Sequence, residues 1–512
     1  EVNLIQYAKT GMIEPGASET VSISFVKEDM ASYDYSGIKA KGGAYVLEAG
    51  TYEITARSDS HTVLDSRSVT VEKDIIYNEE HDGGRSSDKI VAENRFDYAL
   101  GDVTYLSRAN HFANYEEAMA APTNFSMSDE VKEGFYCQAT YDASLTDDTN
   151  AVMPVTGAKN GLTFREMTGV PYDDETWNKL LDQLTVSEMN ALIATGGYAI
   201  AKADSIGLPA FVECDGPAAI KNNYTGQSGT AFPAATMIAA TWSQELAEKR
   251  GEMMGRQCQD MNVVGWYGPA MNIHRTPFSG RNFEYYSEDG VLSGYMGASE
   301  IIGARKYGVQ TYMKHFALND SEINRTKMLC TWTNEQAMRE IYLKPFEMST
   351  KMGQTTAAMT SFNYIGNVWA GANSDLLQTV LRDEWGFEGV TVSDWFSGNK
   401  DGYMLADSAI RVGGDKMLSS QGDPKAYVSN TDSPATVTAM RNAAHNILYS
   451  AANSNAIDER NYQTPGWVKA FITVDVAVGI LLALLEVYAV MQFMKKKKEE
   501  NETVKVETVH EQ

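Results

Sequence analysis

Apolar side chains recur at every second position near the start of the chain. Thr20-Val-Ser-Ile-Ser-Phe25 and Thr51-Tyr-Glu-Ile-Thr-Ala56 both show this alternation, the spacing of a strand with one buried face. Pro15-Gly16 and Ala49-Gly50 mark turns beside them. Strands this closely spaced predict a β-sandwich over residues 1–75, with too few strands at its N-terminal end. Residues 76–160 lose the pattern. They are polar and irregular, with Asp82-Gly-Gly84 and Arg85-Ser-Ser87, and longer than an ordinary loop, so they read as a connector lying across two domains. Over 161–455 short apolar runs alternate with helical segments. The runs are Ala210-Phe-Val-Glu-Cys214, Thr311-Tyr-Met-Lys-His-Phe316, Thr356-Ala-Ala-Met-Thr-Ser361 and Gly389-Val-Thr-Val-Ser393. The helical segments include Asp174–Ile193, Ser243–Met261 and Asn334–Met352. This α/β alternation predicts a (β/α)8 TIM-like barrel or a doubly wound sheet. Asp215, Lys314, His315 and Asp394 stand at the C-terminal ends of their runs, and in a barrel that rim carries the chemistry.

One more segment is apolar throughout. Ala470–Met494 follows Trp467 and precedes Lys495-Lys-Lys-Lys498, and its length suits a bilayer core. It predicts a transmembrane helix over 468–494, with a cytoplasmic tail over 495–512 that is disordered after Glu499, and the barrel outside the cell. Asp475 and Glu486 count against spanning, because carboxylates are costly in lipid; Asp475 lies near one end, and Glu486 needs a partner or marks a buried helix.

Charge narrows the partners. The chain has 43 basic and 68 acidic side chains, a net charge of −25, which repels phosphate backbones and disfavours nucleic acid. Such a balance suits a neutral substrate such as a sugar. Cys137, Cys214, Cys258 and Cys330 are scattered without CxxC spacing, so a zinc cluster or disulfide framework is not expected. The chain begins at Glu1 without a methionine and reads as a piece of something longer.

A barrel rim with Asp, Arg, Lys and His suits sugar hydroxyls, each of which donates and accepts. Trp395 offers an apolar face for a sugar ring. Taken alone, Asp394 at a strand end reads more readily as a helix N-cap than as a catalytic group. Together the motifs Glu213-Cys-Asp-Gly-Pro217, Gly280-Arg-Asn-Phe-Glu-Tyr-Tyr-Ser-Glu-Asp289, Lys314-His-Phe316 with Asn319 and Arg325, Met359-Thr-Ser-Phe-Asn363 and Gly386-Phe-Glu-Gly-Val-Thr-Val-Ser-Asp-Trp395 resemble glycoside hydrolase family 3, in the family's order, over about 165–450. The resemblance implies a β-glucosidase that hydrolyses β-linked glucosides or oligosaccharides with retention, through a glycosyl-enzyme on Asp394. It implies that Asp215 accepts from sugar hydroxyls, that Lys221, Arg281, Lys314, His315 and Arg325 donate to hydroxyls or to acidic neighbours, and that Met359 and Trp395 wall the subsite. The cationic groups are expected to keep Asp394 ionised. His274 reads as structural or ligating with equal weight, and Glu284, Glu288 and Asp289 as orienting Arg281 or capping a helix. Structural ion pairs at the rim are the alternative reading of Asp215, Arg281, Lys314 and His315. No metal or organic cofactor is implied.

Against the family pattern, Ala219 and Lys221 stand in place of Gly and Arg, and Phe362 in place of Tyr. A lysine lacks the arginine fork, and the tyrosine hydroxyl normally helps to hold the nucleophile. The resemblance makes residues 1–75 a fibronectin type III-like domain in the family's permuted order, with an upstream α/β sandwich of the same protein supplying the acid/base glutamate. General acid catalysis is worth about 10²–10⁴-fold, so without that glutamate turnover is expected to be slow. Phe316-Ala-Leu-Asn319 lacks the histidine loop of the N-acetylglucosaminidase branch. A β-xylosidase and a catalytically silent, membrane-tethered sugar-binding protein are the remaining alternatives.

Overall fold

The computed structural model describes residues 2–510 except 108–109, 135–139, 146, 397–402, 421–422 and 464–465, with backbone alone over 503–510. Cys137 lies outside the described residues. Two compact units divide the chain, residues 1–457 and 458–512.

The N-terminal strands are β1 (Ser32–Tyr33), β2 (Tyr45–Leu47), β3 (Gly50–Arg57), β4 (Val63–Val71) and β5 (Ile75–Tyr77). They form two small antiparallel sheets, β1-β2-β5 and the β3-β4 ribbon. The Thr51–Ala56 alternation lies inside β3, paired with β4 from Gly50↔Val71 to Arg57↔Val63. The strand expected over Thr20–Phe25 does not form; Val21, Ile23 and Phe25 are exposed there. A period-two pattern makes a strand only where a neighbouring edge accepts its hydrogen bonds. These two small sheets do not establish the sandwich expected for 1–75.

The stretch after β5 docks on the barrel through buried ion pairs. Arg85 is held by Asp88 at 2.9 Å and by Glu347 at 2.6 Å. Arg339 joins Glu335 at 2.9 Å and Glu384 at 2.8 Å, and donates to the Glu93 carbonyl.

The central sheet runs β6 (Ala199–Ile200), β7 (Phe211–Cys214), β8 (Val263–Trp266), β9 (Gln310–Phe316), β11 (Ala357–Thr360), β14 (Val390–Trp395) and β15 (Lys416–Leu418). A side sheet of β10 (Cys330–Thr331), β12 (Tyr364–Ile365) and β13 (Val368–Trp369) stands apart. From β7 to β15 neighbouring strands are parallel, in the registers Gly265↔Gln310, Ala357↔Tyr312, Met359↔Val392 and Val392↔Lys416. The two ends of the sheet meet, because the Gly197 N–H donates to the Ser419 carbonyl at 2.9 Å. The fold is therefore an α/β barrel of the TIM type. It departs from the expected eight parallel strands: the described sheet has seven, and β6 pairs antiparallel with β7. Only residues 201–210, including a 3-10 turn at Asp204–Ile206 and the left-handed Gly207, separate those two strands, too little chain for a helical crossover.

Packed helices cover the sheet: Gln244–Asp260, Gly290–Arg305, Lys344–Lys351 and Pro434–Ala452. Ser243 caps the first, its Oγ accepting from the Leu246 N–H. The single helix expected over Asp174–Ile193 is two, Thr176–Leu181 and Val186–Ala194. Thr185 restarts it, since its N–H donates to Glu188 at 2.9 Å and its hydroxyl accepts from the Glu188 N–H at 3.2 Å. Within the barrel Lys416 and Glu213, both fully buried, pair at 2.6 Å, and the hydroxyls of Tyr267 and Tyr312 donate to the same carboxylate.

In the second unit a 45-residue helix spans Gly466–His510. It is long and apolar enough to cross a membrane, and its side chains through Glu502 are exposed. The tail expected to be disordered continues this helix to His510. Lys and Glu are good helix formers, and Lys498 and Glu502 stand one turn apart at 4.0 Å.

Candidate active site

Parallel strands deliver their C-terminal residues to one rim. Strand β14 ends in Ser393-Asp394-Trp395, β9 carries Lys314 and His315, and Asp215 follows β7. Met359, buried in β11, pairs in register with Val392, two residues before Asp394. The loop after β8 brings Arg281, and the loop after β9 brings Asn319, Glu322 and Arg325.

Asp394 is 7 % exposed. Its Oδ1 accepts from the Trp395 N–H at 2.6 Å, whereas its Oδ2 is buried without a hydrogen-bond partner among the described residues. Such an atom is costly unless something bound satisfies it. Burial raises the Asp394 carboxyl above the usual carboxylate range, and Arg281, Arg325, the Trp395 N–H and Lys314 offset this only in part. The cations pull the carboxyl down as expected, but desolvation, which penalises the charged form, is the larger influence and sets the net direction.

His315 lies with Nε2 3.8 Å from Asp394 Oδ2. Burial, and after it Arg281, Lys314 and Arg325, hold the imidazole well below its ordinary range, so it is neutral. Arg281 Nη2 stands 2.9 Å from His315 Nε2. A guanidinium only donates, so Nε2 accepts and the proton sits on Nδ1, 3.1 Å from the Tyr285 hydroxyl. The contact of His315 with Asp394 is therefore not an ion pair.

Lys314 donates to Asp215 at 2.6 Å. Burial pushes the Asp215 carboxyl up, but Lys314 and the Gly216 N–H prevail and its net shift is downward. Arg281 pairs with Glu284 and lies 3.7 Å from Glu322; Arg325 meets Glu322 at 2.8 Å. Arg325 also sits over the Phe362 ring at 4.8 Å. Trp395, 37 % exposed, stacks parallel to Tyr224 at 6.2 Å and meets Tyr198 edge-on at 6.2 Å. These rings form an aromatic wall beside Asp394.

Lys221 does not join the charged cluster. Its backbone pairs with that of Asp215, but its side chain is exposed and makes no ion pair among the described residues. The two-residue bridge turns it outward. His274 uses Nε2 on the Tyr285 carbonyl at 3.0 Å, and Asp289 caps the helix Gly290–Arg305 by accepting from the Leu292 N–H at 2.8 Å. Glu322 and Tyr224 belong to the site although no residue pattern singled them out, and Tyr285 although its motif assigned it no role. The one available signal for Glu322 was its place three residues before Arg325. Among the described residues no His, Cys, Asp or Glu group has the arrangement of a metal site.

An α/β barrel with a buried, half-satisfied carboxylate among cationic groups at its C-terminal rim defines the class of barrel proteins that act on small polar substrates. Residues 183–412 match the glycosyl hydrolase family 3 N terminal domain. Over this segment the chain carries a glycoside hydrolase family 3 type barrel. It is similar to β-glucosidase A of Butyrivibrio fibrisolvens, 34% identical over 80% of this chain and 49% of that protein. It is also similar to a β-glucosidase of Ruminococcus albus, 27% identical over 89% of this chain and 47% of that protein. The chain thus spans about half the length of these relatives. Among solved structures it resembles β-glucosidase 3B of Thermotoga neapolitana in complex with α-D-glucose, with a TM-score of 0.50 and 33% identity over 58% of this chain and 45% of that one. A Paenibacillus barengoltzii β-glucosidase matches with a TM-score of 0.60 and 23% identity over 84% of this chain and 47% of that one, and shows the shared fold.

Proposed function

We propose that this chain carries the sugar-binding subsite and the nucleophile of a retaining β-glucosidase, held at a membrane by its C-terminal helix. The observation that carries the reading is the free Oδ2 of Asp394, buried at the rim in the field of Arg281, Arg325 and Lys314. In this mechanism that oxygen bonds to the anomeric carbon as the bond to the leaving oxygen breaks. The leaving oxygen takes a proton from an acid, and water later releases the sugar. Asp215, held by Lys314 yet with a side chain 43% exposed, accepts from sugar hydroxyls. Neutral His315 contributes hydrogen bonding without adding charge beside the nucleophile. Trp395 and Tyr224 cover the apolar face of the group beyond the scissile bond. The acid/base lies on a further domain of the same protein, and residues 1–75 belong to a fibronectin type III-like unit that joins it to the barrel. Lys495–Lys498, directly after the apolar stretch of the helix, favour the cytoplasm for that side and the outside for the barrel.

The test is labelling by 2,4-dinitrophenyl 2-deoxy-2-fluoro-β-D-glucoside, whose leaving group needs little acid. A covalent fluoroglucosyl adduct on Asp394, located by peptide mass, supports the reading. An unlabelled wild-type protein, with the full-length protein equally inert, favours the silent sugar-binding alternative. A relative 36% identical over 43% of this chain is an exo-α-(1->6)-L-arabinopyranosidase, so nitrophenyl glucosides, xylosides and arabinopyranosides belong in the same assay.

A further inference from the structure

A second carboxylate stands in the same site with no part in the steps above. Glu322 Oε1 accepts from Asn319 Nδ2 at 3.0 Å and lies 3.7 Å from Arg281 Nη1. Its Oε2 forms an ion pair with Arg325 Nε at 2.8 Å. From Asn319 the chain of contacts continues. Asn319 Nδ2 also donates to the Tyr285 hydroxyl at 3.1 Å. That hydroxyl meets His315 Nδ1 at 3.1 Å, and His315 Nε2 meets Arg281 Nη2 at 2.9 Å. Arg281 then closes the ring on Glu322. The ring ties the loop after β8 to the loop after β9, with Arg325 held from its outer edge.

We infer that Glu322 is a positioning residue whose carboxylate holds Arg281 and Arg325 off Asp394, leaving the nucleophile an open lone pair inside an attractive field. This inference rests on the reading of Asp394 as nucleophile. The competition is explicit in the geometry. Arg281 and Arg325 are the two strongest charged attractions on Asp394, yet Arg281 bonds to Glu284 and His315, and Arg325 to Glu322. Arg325 Nη1 is buried without a partner among the described residues, and so is Asp394 Oδ2. Released from Glu322, a guanidinium would close on the nearest anion in a charge-assisted bond and occupy the oxygen that must attack. The groups facing Glu322 are Arg281, Arg325, Asn319 and, through space, Asp394; those facing Asp394 are Arg281, Arg325, Lys314 and His315. The carboxylates of Glu322 and Asp394 repel, and each raises the other's proton affinity in addition to burial.

The test compares wild-type protein with Glu322→Gln and Glu322→Asp, using the inactivation rate by the same fluoroglucoside from pH 4 to 8. Folding is checked by circular dichroism and urea midpoint. A glutamine offers one acceptor and turns an NH2 toward a guanidinium. Glu322→Gln is therefore expected to label Asp394 about tenfold or more slowly on the pH plateau. The acid limb of its profile is expected to move to lower pH, because a repelling charge has gone and a guanidinium has closed on Asp394. Glu322→Asp keeps the charge but withdraws it, so its acid limb stays near wild type while its plateau falls. A purely structural role lowers the urea midpoint and moves neither limb nor plateau. A folded Glu322→Gln with wild-type limb and plateau overturns the inference. If that variant does not fold, a wild-type plateau in Glu322→Asp does so. An unlabelled wild-type protein removes the nucleophile reading and this inference with it, whereas labelling with unaffected variants removes this inference alone.

Discussion

Replacing Asp320 by asparagine removes the pH dependence that one buried carboxyl imposes on stability. Asp320 is 3 % exposed, and burial pushes its carboxyl up to about 7, with Arg275 and the Ile273 N–H opposing. In the unfolded chain it titrates at its ordinary value of 3.8. Between those two values the unfolded chain has released the proton that the folded chain keeps. Rising pH therefore favours unfolding across this window and has no further effect through this group above it. Each pH unit is worth about 1.4 kcal/mol, so the roughly three-unit window amounts to about 4 kcal/mol. An asparagine side chain cannot ionise and still offers its Oδ1 to the Ile273 N–H, which lies 3.3 Å from Asp320 Oδ1 in the native site. Its buried NH2 costs about 1–3 kcal/mol if unpaired. Asp320→Asn is then expected to be less stable than wild type at pH 4.5 and more stable, by about 1–3 kcal/mol, at pH 8. The assay is the urea midpoint of both proteins at half-unit steps over that range. Two curves that run parallel would refute the argument, since they would mean Asp320 has the same proton affinity folded and unfolded.

Other expectations concern separate parts of the molecule. His445 is held down to about 4 by burial, stacked on Tyr172 at 4.5 Å, so its contribution to stability is complete above pH 6.5 and lost as pH falls through 4; His445→Phe should flatten that acid loss in the same urea series. Lys416→Met leaves Glu213 charged and uncompensated in the barrel core and should cost about 3–5 kcal/mol in urea unfolding, whereas the double variant with Glu213→Leu should recover much of it. Trp395→Ala should raise KM for aryl glucosides several-fold, with a smaller change for β-glucosyl fluoride, because the stacked Trp395–Tyr224 wall is expected to touch the aryl leaving group; equal loss with both substrates would place Trp395 against the sugar ring. Protein expressed with Gly466–Glu502 should remain in the membrane pellet after alkaline carbonate washing, and removal of that segment should release it.

Asp215, Lys314, His315 and Asp394 were legible in the chain because barrel topology sends the end of every parallel strand to the same rim. The apolar run at Ala470–Met494 was legible because bilayer length is a one-dimensional quantity. The start of the helix expected from Ser243 is also local, fixed by the Ser243 hydroxyl that caps it. Other features depend on distance between residues far apart in sequence, which no window along the chain contains. The ring through Glu322, Asn319, Tyr285, His315 and Arg281 draws on two loops, and the Lys416–Glu213 pair joins residues 203 positions apart. The net direction of the Asp394 shift is not contained in the charges alone, because desolvation exists only once the core has closed around it. Lys221, six residues after Asp215, turned outward because backbone pairing rather than residue type fixed its direction. Residue types and their order determined the family and the rim; only the folded structure decided which charges meet, which are buried, and which oxygen is left open.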